Sequence, residues 1–127
     1  MILDIKKELI EDFILEISGN PKDEKLLSKW KVKPEVSSLL LTLEEGFPEF
    51  EIIATDFTIK ENEVIVLGRF RGAQTNEFLG FPPTNKLVDL PLVIYGDIEE
   101  KGVGKMDILM DRLHVLQKLG LTAILEE

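Results

Sequence analysis

The sequence predicts an α+β domain, with N-terminal helices packed on a mainly antiparallel sheet, and three observations predict it. Up to about Glu45 the apolar residues recur at intervals of three and four; from Glu49 the interval changes to two. Between the alternating runs lie clusters of Gly, Pro, Asn and Asp that turn a chain. The length of 127 residues suits one domain over the whole chain, with a single core.

Ile2, Ile5, Leu9, Phe13 and Ile17, with Ile10 and Ile14 beside them, lay one apolar stripe along a first helix. Asp4 is a candidate cap for its start, and Gly19, Asn20 and Pro21 end it. A short helix is expected from Asp23 to Trp30, burying Leu26, Leu27 and Trp30. Pro34 suits the first position of a third helix, which carries Val36, Leu39, Leu40 and Leu43 and stops at Gly46.

Phe50, Ile52 and Ala54 then alternate, and Phe57 and Ile59 lead to a hairpin turn at Lys60, Glu61 and Asn62. The return strand, Glu63 to Arg71, separates Val64, Val66, Gly68 and Phe70 from Ile65, Leu67, Arg69 and Arg71. A polar loop from Gly72 to Asn85 encloses the apolar segment Phe78 to Phe81. Strands follow from Lys86 to Tyr95 and from about Val103 to Met110, separated by an acidic turn at Gly96 to Gly102. Pro91 predicts a bulge or an unpaired position within the first of these. A last helix is expected from Arg112 to about Leu119.

With 24 acidic against 15 basic residues the net charge is −9, which repels phosphate backbones and anionic membranes, so neither nucleic acid nor membrane is an expected partner. The chain has no cysteine, which excludes disulfides, thiolate nucleophiles and sulfur-ligated metal. Met1 to Lys7 lack the pattern of an export signal, and no apolar run is long enough to span a membrane; the expected location is the cytoplasm.

Strand alternation places Asp107, Leu109 and Asp111 on one face, with the two aspartates about 13 Å apart, too far to share one proton. Asp111 falls where strand gives way to helix, and two readings of it stand. It caps the helix by accepting a backbone N–H from Leu113 or His114, or it projects into a cavity between sheet and helices and acts as general acid or base. Arg69 and Arg71 either anchor an anionic ligand or face solvent. His114 is the single histidine, so a histidine metal cluster is absent. Trp30, Phe57 and Tyr95 read as core or interface residues, and Glu77 as a solvated loop residue. There is no Gly-rich phosphate loop, zincin pair or calcium loop. Ser18, Ser28, Ser37 and Ser38 lie in or beside helices without an activating base.

The segments Phe47-Pro48-Glu49-Phe50, Gly72 with Phe78 to Lys86, and Asp111 followed by Leu116 to Gly120 resemble the SnoaL-like polyketide cyclase, or ester cyclase, family of the NTF2-like superfamily. Phe78 to Lys86 is the specific part, similar to the family pattern Phe-Leu-Gly-Ile-Pro-Pro-Thr-Gly-Lys. The resemblance implies a cone in which helices cover a strongly curved sheet around an apolar pocket, in a homodimer. It also implies ring closure of an enolisable carbonyl or polyketide-like ester by aldol chemistry without metal or organic cofactor. Asp111 falls on the family's acid/base aspartate. Gln74, Phe78, Phe81, Arg69 and Asp107 are the accompanying candidates for substrate binding.

Gln74 stands where the family commonly has histidine, Met106-Asp107 where it has His-Trp, and Asn85 where it has glycine. Glutamine orients an oxygen but takes up no proton near neutral pH. The alternative reading is therefore a noncatalytic NTF2-like module that binds an apolar small molecule or a protein partner.

Overall fold

The computed structural model describes residues 2–61, 63–99 and 102–120, so Asn62 of the expected hairpin turn and positions 100 and 101 of the acidic turn lie outside the described residues, as does the side chain of Asp4. The elements in order are α1 (Ile2–Ile17), α2 (Glu24–Lys29), α3 (Pro34–Gly46), β1 (Glu51–Lys60), β2 (Glu63–Ala73), β3 (Leu87–Glu99), β4 (Gly102–Leu109) and α4 (Arg112–Lys118).

The helices form where the periodicity asks for them. Ile10, Phe13, Ile14 and Ile17 are the buried stripe of α1, which already begins at Ile2 and so contains Asp4 in its first turn. Asp23 caps α2, its carboxylate accepting the N–H of Leu26 at 2.8 Å. Val36, Leu40 and Leu43 are the buried side of α3. At its end Gly46 is indispensable for packing, because a Cβ there would stand 2.6 to 2.9 Å from the side chain of Phe78.

The four strands pair antiparallel in the order β1-β2-β3-β4. Along β2, exposed and buried residues alternate from Glu63 to Gly72, with Val64, Val66 and Phe70 turned inward. The inward face continues through Ile52 on β1, Val88, Leu90, Leu92 and Ile94 on β3, and Met106 on β4. Against it lie α1, α3 and α4. Phe47, Phe50, Phe70 and Phe78 meet edge-on or tilted at centroid separations of 5.0 to 5.3 Å, joining α3, β1, β2 and the following loop.

Two expectations need comment. The strongly curved cone is not what forms: the sheet is neither closed nor strongly curled. Bulges are one device that bends a sheet sharply, and β2 pairs with β3 without one, in an unbroken register from Glu63↔Asp97 to Ala73↔Leu87. Among the described residues, register shifts occur at Ala54/Asp56 and Asp97/Glu99, both towards the flanking strands. Pro91, by contrast, lies inside β3 opposite Arg69, and the ladder to β4 has already ended at Val93↔Leu109, so its missing N–H costs β4 no bond.

The edges are covered locally. Val103 donates its N–H to the Trp30 carbonyl at 2.9 Å, which lays the α2–α3 connection along β4, and Ile52 donates to the Ser18 hydroxyl at 2.9 Å.

Candidate functional site

α3 presents Ser38, Leu39, Thr42 and Leu43 on one side, since residues four apart on a helix are neighbours. Facing them are Phe78 and Leu79 from the β2–β3 loop, Met110 after β4 and Val115 of α4. Together they line a cavity of about 140 Å³. That volume holds on the order of one six-membered ring. The walls are aliphatic and aromatic apart from the hydroxyls of Ser38 and Thr42, which offer donors to an oxygen of a bound molecule.

The Phe78–Leu79 wall is a tight turn. Phe78 and Phe81 exchange backbone hydrogen bonds of 3.0 and 2.9 Å, and the two residues between them, Leu79 and Gly80, have φ of 49° and 85°. Positive φ at both central positions is the type I′ geometry, natural for glycine and unfavourable for leucine.

A second, open depression of about 440 Å³ lies beside it, lined by Pro91, Leu92, Val93, Leu109, Met110 and Asp111. Met110 borders both spaces. Asp111 lines the open depression and not the smaller cavity. Its Oδ1 accepts the N–H groups of Leu113 at 3.0 Å and His114 at 3.3 Å, the capping arrangement, and its side is exposed.

The other sequence candidates are dispersed. Phe78 is buried and lines the smaller cavity, whereas Phe81 is half-buried and lines neither space. Gln74 is completely buried beneath the loop and is bonded to Phe81, Pro82 and Thr84. Arg69 pairs with Asp89 at 2.5 Å on the sheet face turned away from the helices. Asp107 pairs with Lys33 at 2.5 Å, and this bond raises the Lys33 ammonium above the usual lysine range. The site residues that sequence reasoning missed are Ser38, Thr42, Met110 and Val115. The signal was the pair of hydroxyls four apart beside the leucine stripe of α3.

Behind the cavity, Lys22 braces the corner between α1 and β1. Its ammonium donates to the carbonyls of Asn20 at 2.7 Å and Phe50 at 2.6 Å, stands 3.5 Å from Glu44 and lies over the Phe50 ring. Burial pushes its pKa down to about 8 against the opposing pull of Glu44, Glu49 and Glu51. Among the described residues no group of three or more His, Asp or Glu is placed to hold a metal ion, and no helix is long and apolar enough to cross a membrane.

No family profile matches the sequence, and no curated protein matches it. Solved structures do share the fold. A candidate SnoaL-like polyketide cyclase from Jannaschia sp. CCS1 is 24% identical over 93% of this chain and 93% of its own, with a TM-score of 0.75. AclR, a candidate hydroxylase from Streptomyces galilaeus, is 17% identical over 98% of this chain and 89% of its own, at 0.77. IdmH, a candidate polyketide cyclase from Streptomyces antibioticus, is 16% identical over 92% and 96%, at 0.65. One fold thus carries different activity names, so the fold does not select among them.

Proposed function

We propose that this chain is a SnoaL-like, NTF2-like module that binds a small, mainly apolar molecule carrying a carbonyl or similar oxygen, in the cytoplasm and as a homodimer. The observation that carries this reading is the ring-sized cavity between α3, the Phe78–Leu79 turn and α4, apolar except for Ser38 and Thr42. A ring enters the apolar part, and the two hydroxyls orient its oxygen. A multi-ring substrate would have to extend past Met110 into the open depression.

The finer reading is a cofactor-independent cyclase. Asp111 would take a proton from a carbon flanked by carbonyls, the enolate would attack an internal carbonyl to form a carbon–carbon bond, and the resulting alkoxide would regain the proton. What supports it is the coincidence of Asp111 with the aspartate of the resembled family and its place on the depression next to Met110. What supports binding without catalysis is that Asp111 Oδ1 already serves two backbone N–H groups, while Gln74 and Asp107 are engaged elsewhere.

Two experiments separate these readings. Titration with acetophenone, a single ring with an enolisable carbonyl, should shift the amide resonances of Ser38, Thr42, Leu79 and Val115; shifts confined to other residues would remove the cavity assignment. On a substrate found among enolisable ketones and polyketide-like methyl esters, Asp111→Asn should keep affinity and lose turnover by about two to four orders of magnitude. Unchanged turnover would reject Asp111 as the acid/base.

A further inference from the structure

Gln74 is 0% exposed, yet its side chain is fully occupied within one loop. Its Nε2 donates to the carbonyl oxygens of Phe81 at 3.3 Å and Pro82 at 3.1 Å. Its Oε1 accepts from the backbone N–H of Thr84 at 3.1 Å and from the Thr84 hydroxyl at 2.8 Å. A primary amide offers two N–H donors and two acceptor positions, so nothing remains for a ligand. The backbone of the same residue is tied into the loop as well, donating to Lys86 at 3.0 Å and accepting from Asn85 at 2.9 Å.

The clasp grips the chain at Phe81 to Thr84, next to the turn whose Leu79 has a φ of 49°. A leucine persists in that conformation only where its surroundings over-determine it. Phe78 and Leu79 are one wall of the cavity, so the groups that fix the turn also fix the cavity's size.

We propose that Gln74 is a positioning residue for ligand binding: it sets affinity at the cavity by holding Phe78 and Leu79 in place and makes no contact with the ligand itself. The proposal rests on the reading of the cavity as a binding site, whereas the state of the clasp can be measured without any ligand.

Gln74→Glu supplies a test that a merely space-filling role would not pass. An ionised carboxylate still accepts from Thr84 but cannot donate to the two carbonyls, and burial raises its pKa, so the protonated acid regains one donor within an accessible pH range. The variant's loop should therefore tighten at pH 5 and loosen at pH 8, while the wild type shows no such change. Amide exchange, corrected for the intrinsic rate, would be read at Phe78, Phe81, Thr84 and Asn85, with Val66 and Ile94 in the central strands as controls. At pH 8 the four loop amides of the variant should exchange about tenfold faster than in the wild type, the effect of losing on the order of one hydrogen bond. Acetophenone affinity should weaken by about the same factor, and both gaps should narrow at pH 5.

Equal loop exchange in both proteins at pH 8 would overturn the proposal, as would acceleration that reaches the strand controls and ignores pH. Should the variant not fold, Thr84→Val removes only the hydroxyl from the clasp, and it should accelerate Phe81 and Asn85 in the same direction; no acceleration would count against the proposal. Acetophenone binding that is equal in the two proteins despite loosened loop amides would refute the positioning role. Absence of acetophenone binding to either protein, with the pH-dependent exchange intact, would instead refute the cavity reading and confine Gln74 to shaping the loop.

Discussion

Lys22 carries a charge that its surroundings both need and oppose. The two carbonyls it serves, of Asn20 and Phe50, would be left without this donor by a shorter side chain, and the buried Oε1 of Glu44, 3.5 Å from the ammonium, would lose its ion pair. Burial lowers its pKa from the ordinary 10.5 to about 8. Below pH 8 the folded and unfolded chains both hold the proton; between about 8 and 10.5 the unfolded chain holds more of it, so the Lys22 contribution to stability rises with pH and is lost as pH falls through about 8. A neutral amine still donates to both carbonyls. Denaturant unfolding of the wild type and of Lys22→Met should show the wild type gaining about 2 to 4 kcal/mol on the variant between pH 7 and 10.5. A difference that stays constant over that range would show that the amine is not desolvated as the structure places it. Lys33, raised by Asp107, acts in the opposite direction but at higher pH and equally in both proteins.

At the scale of elements, α4 has seven residues, too few to be stable in isolation, so its start depends on Asp111. Asp111→Ala should therefore lower stability by about 0.5 to 2 kcal/mol, and Asp111→Asn by much less, because asparagine is as good a cap. Equal loss in both variants, read by thermal unfolding, would show that the carboxylate's charge and not its capping geometry supports the helix. The helix was legible in advance because its cap, apolar spacing and terminal Gly120 agree, and β2 was legible because Val64, Val66 and Phe70 alternate without interruption. Curvature was not legible: it depends on bulges across strand pairs, and an alternating pattern looks the same in a flat or a bent ladder. The Phe78–Phe81 turn was seen only as an apolar insertion, since Leu-Gly lacks the Asn-Gly or Asp-Gly signature of its geometry. The cavity was hidden for another reason. The spacing of four within α3 puts the hydroxyls of Ser38 and Thr42 on one side, but what α4 and the loop bring opposite them is not encoded in α3.

At the scale of the whole molecule, one face of the sheet is covered by none of the described helices. Ile65, Leu67, Tyr95 and Leu109 are 43 to 63% exposed there, and the cross-strand register sets them side by side, with Val93 between Leu67 and Leu109. We propose a second copy of this chain as what covers this face, because four large apolar side chains stand together on an open face and a self-complementary contact covers them in both copies at once. The charges around the patch are mixed at both ends: Glu51 and Asp89 flank Arg71, Asp89 pairs with Arg69, Lys105 stands opposite Asp97 and Lys33 pairs with Asp107. The same copy would wall the open depression beside Asp111, which shares Val93 and Leu109 with the patch. Sedimentation at micromolar concentration should give about twice the chain mass, and Leu67→Glu should yield a folded monomer. A wild type that sediments as a monomer throughout would end the proposal, and a dimer indifferent to Leu67→Glu would move the interface off this face.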